Sequence, residues 1–322
     1  MSETISNTNV PTPVHAGIDV AARWLDVVLD PVGCHRRFDN DEAGVAALQA
    51  WLNEYAVALI AMEATGGLER LAASQLMKAG YKVAVLNPAR ISGFRQALGK
   101  IAKTDLLDAA AIALFAKTMP VTPRPPAGDH IRALKDLSVR RSQLTRMMVA
   151  ERNRAKRMTD QATLESISRV QQIFKAEQKI VDRAMKALVE AHDDLKHRFD
   201  ILISIPGIGV QTALCLLADM PELGLLADNK IAALAGVAPM NRDSGKTANR
   251  ASLRGGRKMV RTNLYMATLS AIRFNPPIKA FNERLILKNG RPKMVALAAS
   301  MRKLLLIANH LLAKQEKWSL KT

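Results

Sequence analysis

The first 120 residues alternate short apolar runs with amphipathic stretches. Val14–Val20 and Trp24–Leu29 read as two strands joined by a short turn, and Cys34–Phe38 as a third. Asp41 then precedes Val45, Leu48 and Leu52, apolar positions at helical spacing. Val57–Met62 is a continuous apolar run that suits a buried strand, and Leu68–Lys78 is helical in pattern. Lys82–Leu86 is a further strand, stopped by Asn87-Pro88. Pro88 can open a helix to about Leu98, and Thr104 can N-cap another from Asp105 to Lys117. Three strands in a meander, then alternating helices and strands, predict an α/β domain.

Met119 to Gly128 holds four prolines and a glycine and reads as a linker. Residues 129–205 then contain neither Gly nor Pro and are rich in good helix formers. Leu134, Leu137, Val139, Leu144, Met147 and Met148 form one apolar stripe; Ile173, Ile180, Met185, Leu188 and Leu195 form another. The spacing predicts two long helices with a break near Thr159–Thr163. The stripe is not a strict heptad, so both a coiled coil joining protomers and an internal helical hairpin fit it. Apolar helical runs follow at Ile201–Met220, Met259–Arg273 and Met294–Leu312. The expected organisation is an α/β domain at 1–120, a linker with long helices at 121–200, and a mainly α domain at 201–322.

A chain of 322 residues suits two domains of ordinary size. Its formal charge of +18 asks for a polyanion or an anionic surface as partner. The charge is uneven: residues 1–120 hold 11 Lys/Arg against 12 Asp/Glu, net −1, and the remainder carries the whole excess. Nucleic acid is therefore expected on the later part, because phosphate binding grows with the number of cations that displace counterions. No apolar run approaches the roughly 18 residues of a membrane span, and Met1–Val14 has no apolar signal core. Cys34 and Cys215 belong to no metal-binding pair, so a reducing cytoplasm is the expected compartment. The six histidines, at 15, 35, 130, 192, 197 and 310, show no metal-ligand spacing.

Candidate chemistry begins with acids. Asp19 lies at the end of the first strand, where burial is costly without a partner or a metal. Glu63 ends the apolar strand in the same way, before Ala64-Thr65-Gly66-Gly67, a turn that lets backbone or phosphate come close. Asp105 and Asp108 are three apart and share a helix face. Four convergent carboxylates would offer hard oxygen ligands to Mg²⁺, and two such ions can clamp a phosphodiester exchange. Each acid alone is equally a turn former, a hydrogen-bond acceptor or a helix N-terminal charge.

A second constellation runs from Gly236 to Lys258. Between Arg242 and Arg261 stand Arg242, Lys246, Arg250, Arg254, Arg257, Lys258 and Arg261, with one acid, Asp243. Ser244 lies in an Asp-Ser-Gly turn inside this basic loop, and Ser252 lies in the same loop. A serine needs activation to act as a nucleophile, and either hydroxyl also suits a plain turn. Pro206-Gly207-Ile208-Gly209 resembles the hairpin of a helix-hairpin-helix motif, in which N–H groups such as those of Gly207 and Gly209 bind phosphate; a simple interhelical turn fits equally.

Gly17-Ile18-Asp19-Val20, Glu63-Ala64-Thr65-Gly66-Gly67 and Lys103-Thr104-Asp105-Leu106-Leu107-Asp108-Ala109 resemble the DEDD motifs of the insertion sequence 110 family of transposases. The resemblance implies a RuvC-like, ribonuclease-H-type N-terminal domain in which Asp19, Glu63, Asp105 and Asp108 coordinate Mg²⁺. It implies a C-terminal transposase domain in which Ser244, in its Ala-Pro…Ser-Gly context, is the nucleophile, and Ser252 is not. It further implies a structured bridge RNA that pairs with donor and target DNA, a homodimer or homotetramer, and a cytoplasmic, nucleoid-associated enzyme. RNA pairing would then read sequence while the protein holds backbones. A metal-dependent Holliday-junction-type nuclease that uses water is the alternative reading, and a non-catalytic nucleic-acid-binding protein is the third.

Overall fold

A strand of small and branched residues with an acid at its end starts the fold. In the computed structural model, which describes residues 13–99, 104–123, 128–240 and 252–319, the chain divides into two compact units, Met1–Ala127 and Gly128–Thr322. The first unit contains β1 (Val14–Val20), β2 (Trp24–Asp30), β3 (His35–Asp39), α1 (Glu42–Leu52), β4 (Val57–Glu63), α2 (Arg70–Lys78), β5 (Val83–Leu86), α3 (Pro88–Ala97) and α4 (Asp105–Thr118). Caps set these boundaries as expected: Asp41 accepts from Gly44 N, Asn87 from Ala89 N, and Thr104 from Leu107 N. Helix α2 starts two residues later than expected, because the turn before it is tied down by Glu69, as described below.

The five strands form one sheet in the order β3-β2-β1-β4-β5. Strands β1, β2 and β3 are an antiparallel meander; β1–β4 and β4–β5 are parallel. The alternation of β1 sorts its two faces. Val14, Ala16, Ile18 and Val20 enter a core with Leu48 and Leu52 of α1 and Leu76 of α2. Gly17 faces the other way, onto α4. On that second face Leu59, Ala61, Ala84 and Leu86 pack with Ile91, Ile112 and Phe115. The result is a mixed α/β layer structure with α4 lying across β1, β2 and β4.

The second unit is mostly helical: α5 (Asp129–Ala155), α6 (Gln161–Glu190), α7 (Asp193–Ser204), α8 (Val210–Asp219), α9 (Asp228–Ala235), the short strands β6 (Pro239–Met240) and β7 (Ser252–Leu253), α10 (Lys258–Phe274), α11 (Pro276–Glu283) with a π-helical turn at Arg284–Lys288, and α12 (Lys293–Lys314). Helices α5 and α6 fold back on each other: Arg141 meets Asp182 and Thr145 meets Gln178, pairings that only an antiparallel hairpin allows. Leu134, Leu144, Val181, Met185 and Val189 of this hairpin join the same core as α7, α8, α10 and α12. Val139, Met147, Val149, Ile173 and Ile180 stay exposed on it.

Helix α12 is long and apolar enough to cross a membrane by length and composition, which the run-length reading of the sequence missed. Half of its apolar stretch is buried inside this unit, with Leu304, Leu305 and Ala308 fully enclosed. Its Asn309 accepts from Gly224 N and donates to Leu226 O and Asp228.

Candidate active site

Asp19 and Gly17 point to the same face of the sheet, two residues apart on β1. A side chain at Gly17 would overlap the Ala109 carbonyl and the Ala113 nitrogen, so α4 lies with its backbone directly on β1. One turn back along α4 are Asp105 and Asp108. On the other flank, Ile18 pairs with Met62, so the next residues, Asp19 and Glu63, end adjacent parallel strands at one level. A strand pair and one helix N-terminus thus gather all four predicted acids.

The electrostatics register that gathering. The Asp19 carboxyl is pushed up from 3.8 to about 6, first by burial, then by the charges of Asp108, Asp105 and Glu63. Two arginines answer the crowding. Arg37 donates to Asp105 at 3.0 Å, and the Arg95 guanidinium of α3 lies against Asp108. With Asp105 and Asp108 turned to these arginines, no three His, Cys, Asp or Glu side chains among the described residues form a ready metal cage. The donor set still fits a hard divalent cation, since four carboxylates repel one another around Asp19.

One acid escaped the sequence reading. Asp26 is the cross-strand partner of Asp19 and is only 2% exposed. It takes Arg37 Nε and Nη2 at 3.0 and 2.7 Å and lies 3.0 Å from His35 Nε2. Burial works to raise its pKa, but the bonds from Arg37 and His35 outweigh it and leave Asp26 below the usual range. Asp26 therefore fixes Arg37, which in turn reaches Asp105. The signal was present as an Asp inside an apolar strand beside His35 and Arg37 on one face of β3. His35, given no role from spacing, has this structural one.

The turn after Glu63 departs from expectation as well. Gly66 and Gly67 have φ of 67° and 109°, which their lack of a side chain permits. The N–H groups of Thr65 and Gly67, however, already donate to Glu69 Oε2 at 3.0 and 2.9 Å. Those two groups are spent on setting the end of β4 and do not remain open to phosphate.

In the second unit, Ser244, Arg242, Lys246 and Arg250 lie outside the described residues. Pro239 pairs with Leu253 and Met240 with Ser252, which brings the two ends of residues 241–251 together. Gly236 meets the backbone of Gly255 and Gly256 closely: a Cβ on Gly236 would overlap the Gly255 carbonyl, and one on Gly256 would overlap the Gly236 backbone.

Two family models match this chain: one described as a transposase, of the DEDD type, over residues 16–164, and one described as transposase IS116/IS110/IS902 family over residues 199–283. The chain belongs to the IS110 family of transposases. It is accordingly an enzyme of DNA transposition and recombination. Its relatives include the pilin gene-inverting proteins of Moraxella bovis and Moraxella lacunata. Each is 27% identical over 305 residues, covering 91% of this chain and 94% of the relative. The first match holds all four acids; the second holds Gly207, Gly209 and the loop of Ser244.

The basic residues of this transposase divide by what they touch. Arg254 and Lys258 are exposed at the foot of the loop. Arg257 instead donates twice to Glu222, at 2.6 and 2.7 Å, and to the Asp219 carbonyl at 2.7 Å. Arg261 donates to the Gly255 carbonyl at 2.6 Å. Gly207, at φ 105°, packs against Ala271 of α10, while Gly209 is the exposed N-cap of α8. Arg257→Ala should therefore unfold the second unit more easily, by about 2 kcal/mol, since it strands a mostly buried carboxylate. Arg254→Ala should leave the melting temperature unchanged and weaken DNA binding instead. Thermal melts beside a binding titration separate the two.

Proposed function

We propose that this enzyme cuts and rejoins donor and target DNA, guided by a structured bridge RNA, through a metal-binding acid site and a serine nucleophile. The observation that carries the acid site is its geometry: Asp19 and Glu63 end adjacent parallel strands at one level, and the backbone of α4 lies directly on β1 with Asp105 and Asp108 one turn away. The sheet order, three antiparallel strands followed by two parallel ones, supports a RuvC-like, ribonuclease-H-type domain. Asp19, Glu63, Asp105 and Asp108 are the residues that would hold Mg²⁺, which supplies Lewis-acid stabilisation of a charged phosphate. Arg37 and Arg95 keep Asp105 and Asp108 in place against mutual repulsion until then.

Ser244 is the proposed nucleophile. Its Oγ–P bond forms as the bond from phosphorus to a deoxyribose oxygen breaks, the serine proton leaves, and that oxygen takes up a proton. The phosphoserine link conserves the phosphodiester, so strands rejoin without an external energy source. Arg254 and Lys258, exposed at the foot of the loop, suit contacts to the phosphate. The excess charge after residue 120 suits a protein that holds both RNA and DNA. The relatives' name, a gene-inverting protein, supports recombination between defined sites. The exposed apolar residues of α5 and α6, Ile173 and Ile180 above all, support a homodimer or homotetramer; a DNA-recombining activity like that named for the relatives suits work in the cytoplasm on nucleoid DNA.

The test uses purified protein, RNA from the element's non-coding flank, labelled donor and target DNA, and Mg²⁺. A denaturant-resistant protein–DNA adduct is expected, and it should vanish in both Ser244→Ala and Asp19→Ala. Free nicked DNA without an adduct, made equally well by Ser244→Ala, would replace this reading with hydrolysis by water.

A further inference from the structure

We propose that the cleft between α6 and the start of α8 is a binding site for the phosphodiester backbone of a nucleic acid. The cleft has a volume of about 510 Å³ and is lined by Lys179, Asp182, Arg183, Lys186 and Gln211. The three cations stand four and three residues apart, hence on one face of α6. Lys175 continues the stripe one turn earlier.

The charge of this cleft is not answered from within the protein. Its acid, Asp182, is already held by Arg141 of α5 at 2.6 Å. Lys179, Arg183 and Lys186 have no ion-pair partner among the described residues. Three like charges around one cavity repel each other and add nothing to the fold, so their clustering points to an anion. A solvated helix face could also carry such a stripe. Gln211 separates the two cases. Its side-chain Oε1 is buried in the cleft wall with no hydrogen-bond partner among the described residues. An unmet buried amide oxygen is costly, and with Oε1 on the buried side, the N–H groups at the other end of the amide are the ones a phosphate in the cleft can meet. Gln211 is the second residue of α8, whose N-cap Gly209 makes no side-chain cap bond and has open space where a Cβ would be. The first N–H groups of α8 thereby add a further anion-binding element at the same place.

The shape favours a polymer. From Lys175 to Lys186 the stripe runs about 16 Å along the helix, longer than a single phosphate group. A backbone running along α6 would meet these cations in turn, and its sequence would not matter. The reading leans on the family's handling of nucleic acid for the identity of the polyanion, and on nothing in the acid site.

Fluorescence anisotropy on the full chain tests it, with a labelled RNA stem-loop and a labelled DNA duplex as probes over a range of salt. The variant Lys179→Gln/Arg183→Gln/Lys186→Gln should flatten the slope of log affinity against log salt by about 2 to 3 on at least one probe. The probe affected identifies the strand as RNA or DNA. A charge-matched control, Lys230→Gln/Lys279→Gln/Lys314→Gln, removes exposed lysines that do not line the cleft and should keep the wild-type slope. Gln211→Ala should lower affinity about 5-fold with an unchanged slope, because it removes hydrogen bonds and no charge. Equal losses in the cleft variant and the control would reduce the effect to diffuse charge and overturn the site. So would wild-type binding of both probes by the cleft variant, or wild-type affinity in Gln211→Ala. Circular dichroism confirms that each variant folds. The titrations contain chelator and read binding alone, so a failure of the cleavage chemistry and a failure of this site are distinguishable.

Discussion

Asp19→Asn is expected to abolish strand cleavage while making the metal-free protein more stable at neutral pH. Unfolded, Asp19 titrates near 3.8; folded, it titrates at about 6, because it is partly buried among Asp108, Asp105 and Glu63. Below the unfolded value the side chain is protonated in both states and the stability of the fold is fully present. As pH rises through about 6 the folded protein must accept a charge among charges, and that stability is lost. Asparagine is neutral throughout. In chelator, the variant should match wild type near pH 4 and exceed it at pH 7 by about 1 kcal/mol, a modest figure because solvent screens a partly exposed carboxylate. Mg²⁺ should raise the melting temperature of wild type and do little for the variant. Activity should fall more than about 100-fold, since losing even an outer partner of a metal ligand costs about 10- to 100-fold. Calorimetry across this pH range decides the matter. A stability gap that does not change with pH, or a wild type more stable at pH 7, would remove the acid cluster from the argument.

Gly17→Ala should weaken both the fold and the activity, although glycine-to-alanine exchange in a strand is ordinarily mild. An added Cβ would overlap main-chain atoms of Ala109 and Ala113, which no side-chain rotation relieves. Helix α4 has to move off β1, at a cost of about 3 kcal/mol, the upper part of the range for overpacking. Its N-terminus carries Asp105 and Asp108, so the same movement separates them from Asp19. Misplacement of catalytic groups by about 1 Å can cost about 100-fold in rate. Cleavage should thus be lost even at temperatures where the variant is folded. Gly93→Ala is the control: it lies within α3 with open space around its Cβ position and should be neutral or stabilising by about 0.5 kcal/mol. Urea titration of the three proteins, with cleavage assayed well below each transition, would show the two glycines behaving alike if the close approach of α4 had no consequence.

The elements of the first unit were legible in the sequence almost residue by residue. Short strands with turn residues between them, and caps at Asp41, Asn87 and Thr104, are local features that need no distant partner. The acids were legible too, because a carboxylate at the end of an apolar strand contradicts its surroundings and so draws notice. The partners of charges were not. Asp26, Arg37 and His35 come from neighbouring strands whose register only the folded sheet establishes. Likewise Arg257 looked like one more cation in a basic loop until Glu222, 35 residues away, was found holding it.

What the chain determined by itself was the kind and order of its elements and the placing of acids at their ends, since both follow from periodicity and local hydrogen bonding. What only the tertiary structure decided was which groups share a face: that Gly17 must be bare to seat α4, that Asp105 and Asp108 thereby crowd Asp19, and that three cations of α6 face the start of α8. Those outcomes depend on close packing between segments far apart in sequence, and contact across such distances leaves no periodic trace along the chain.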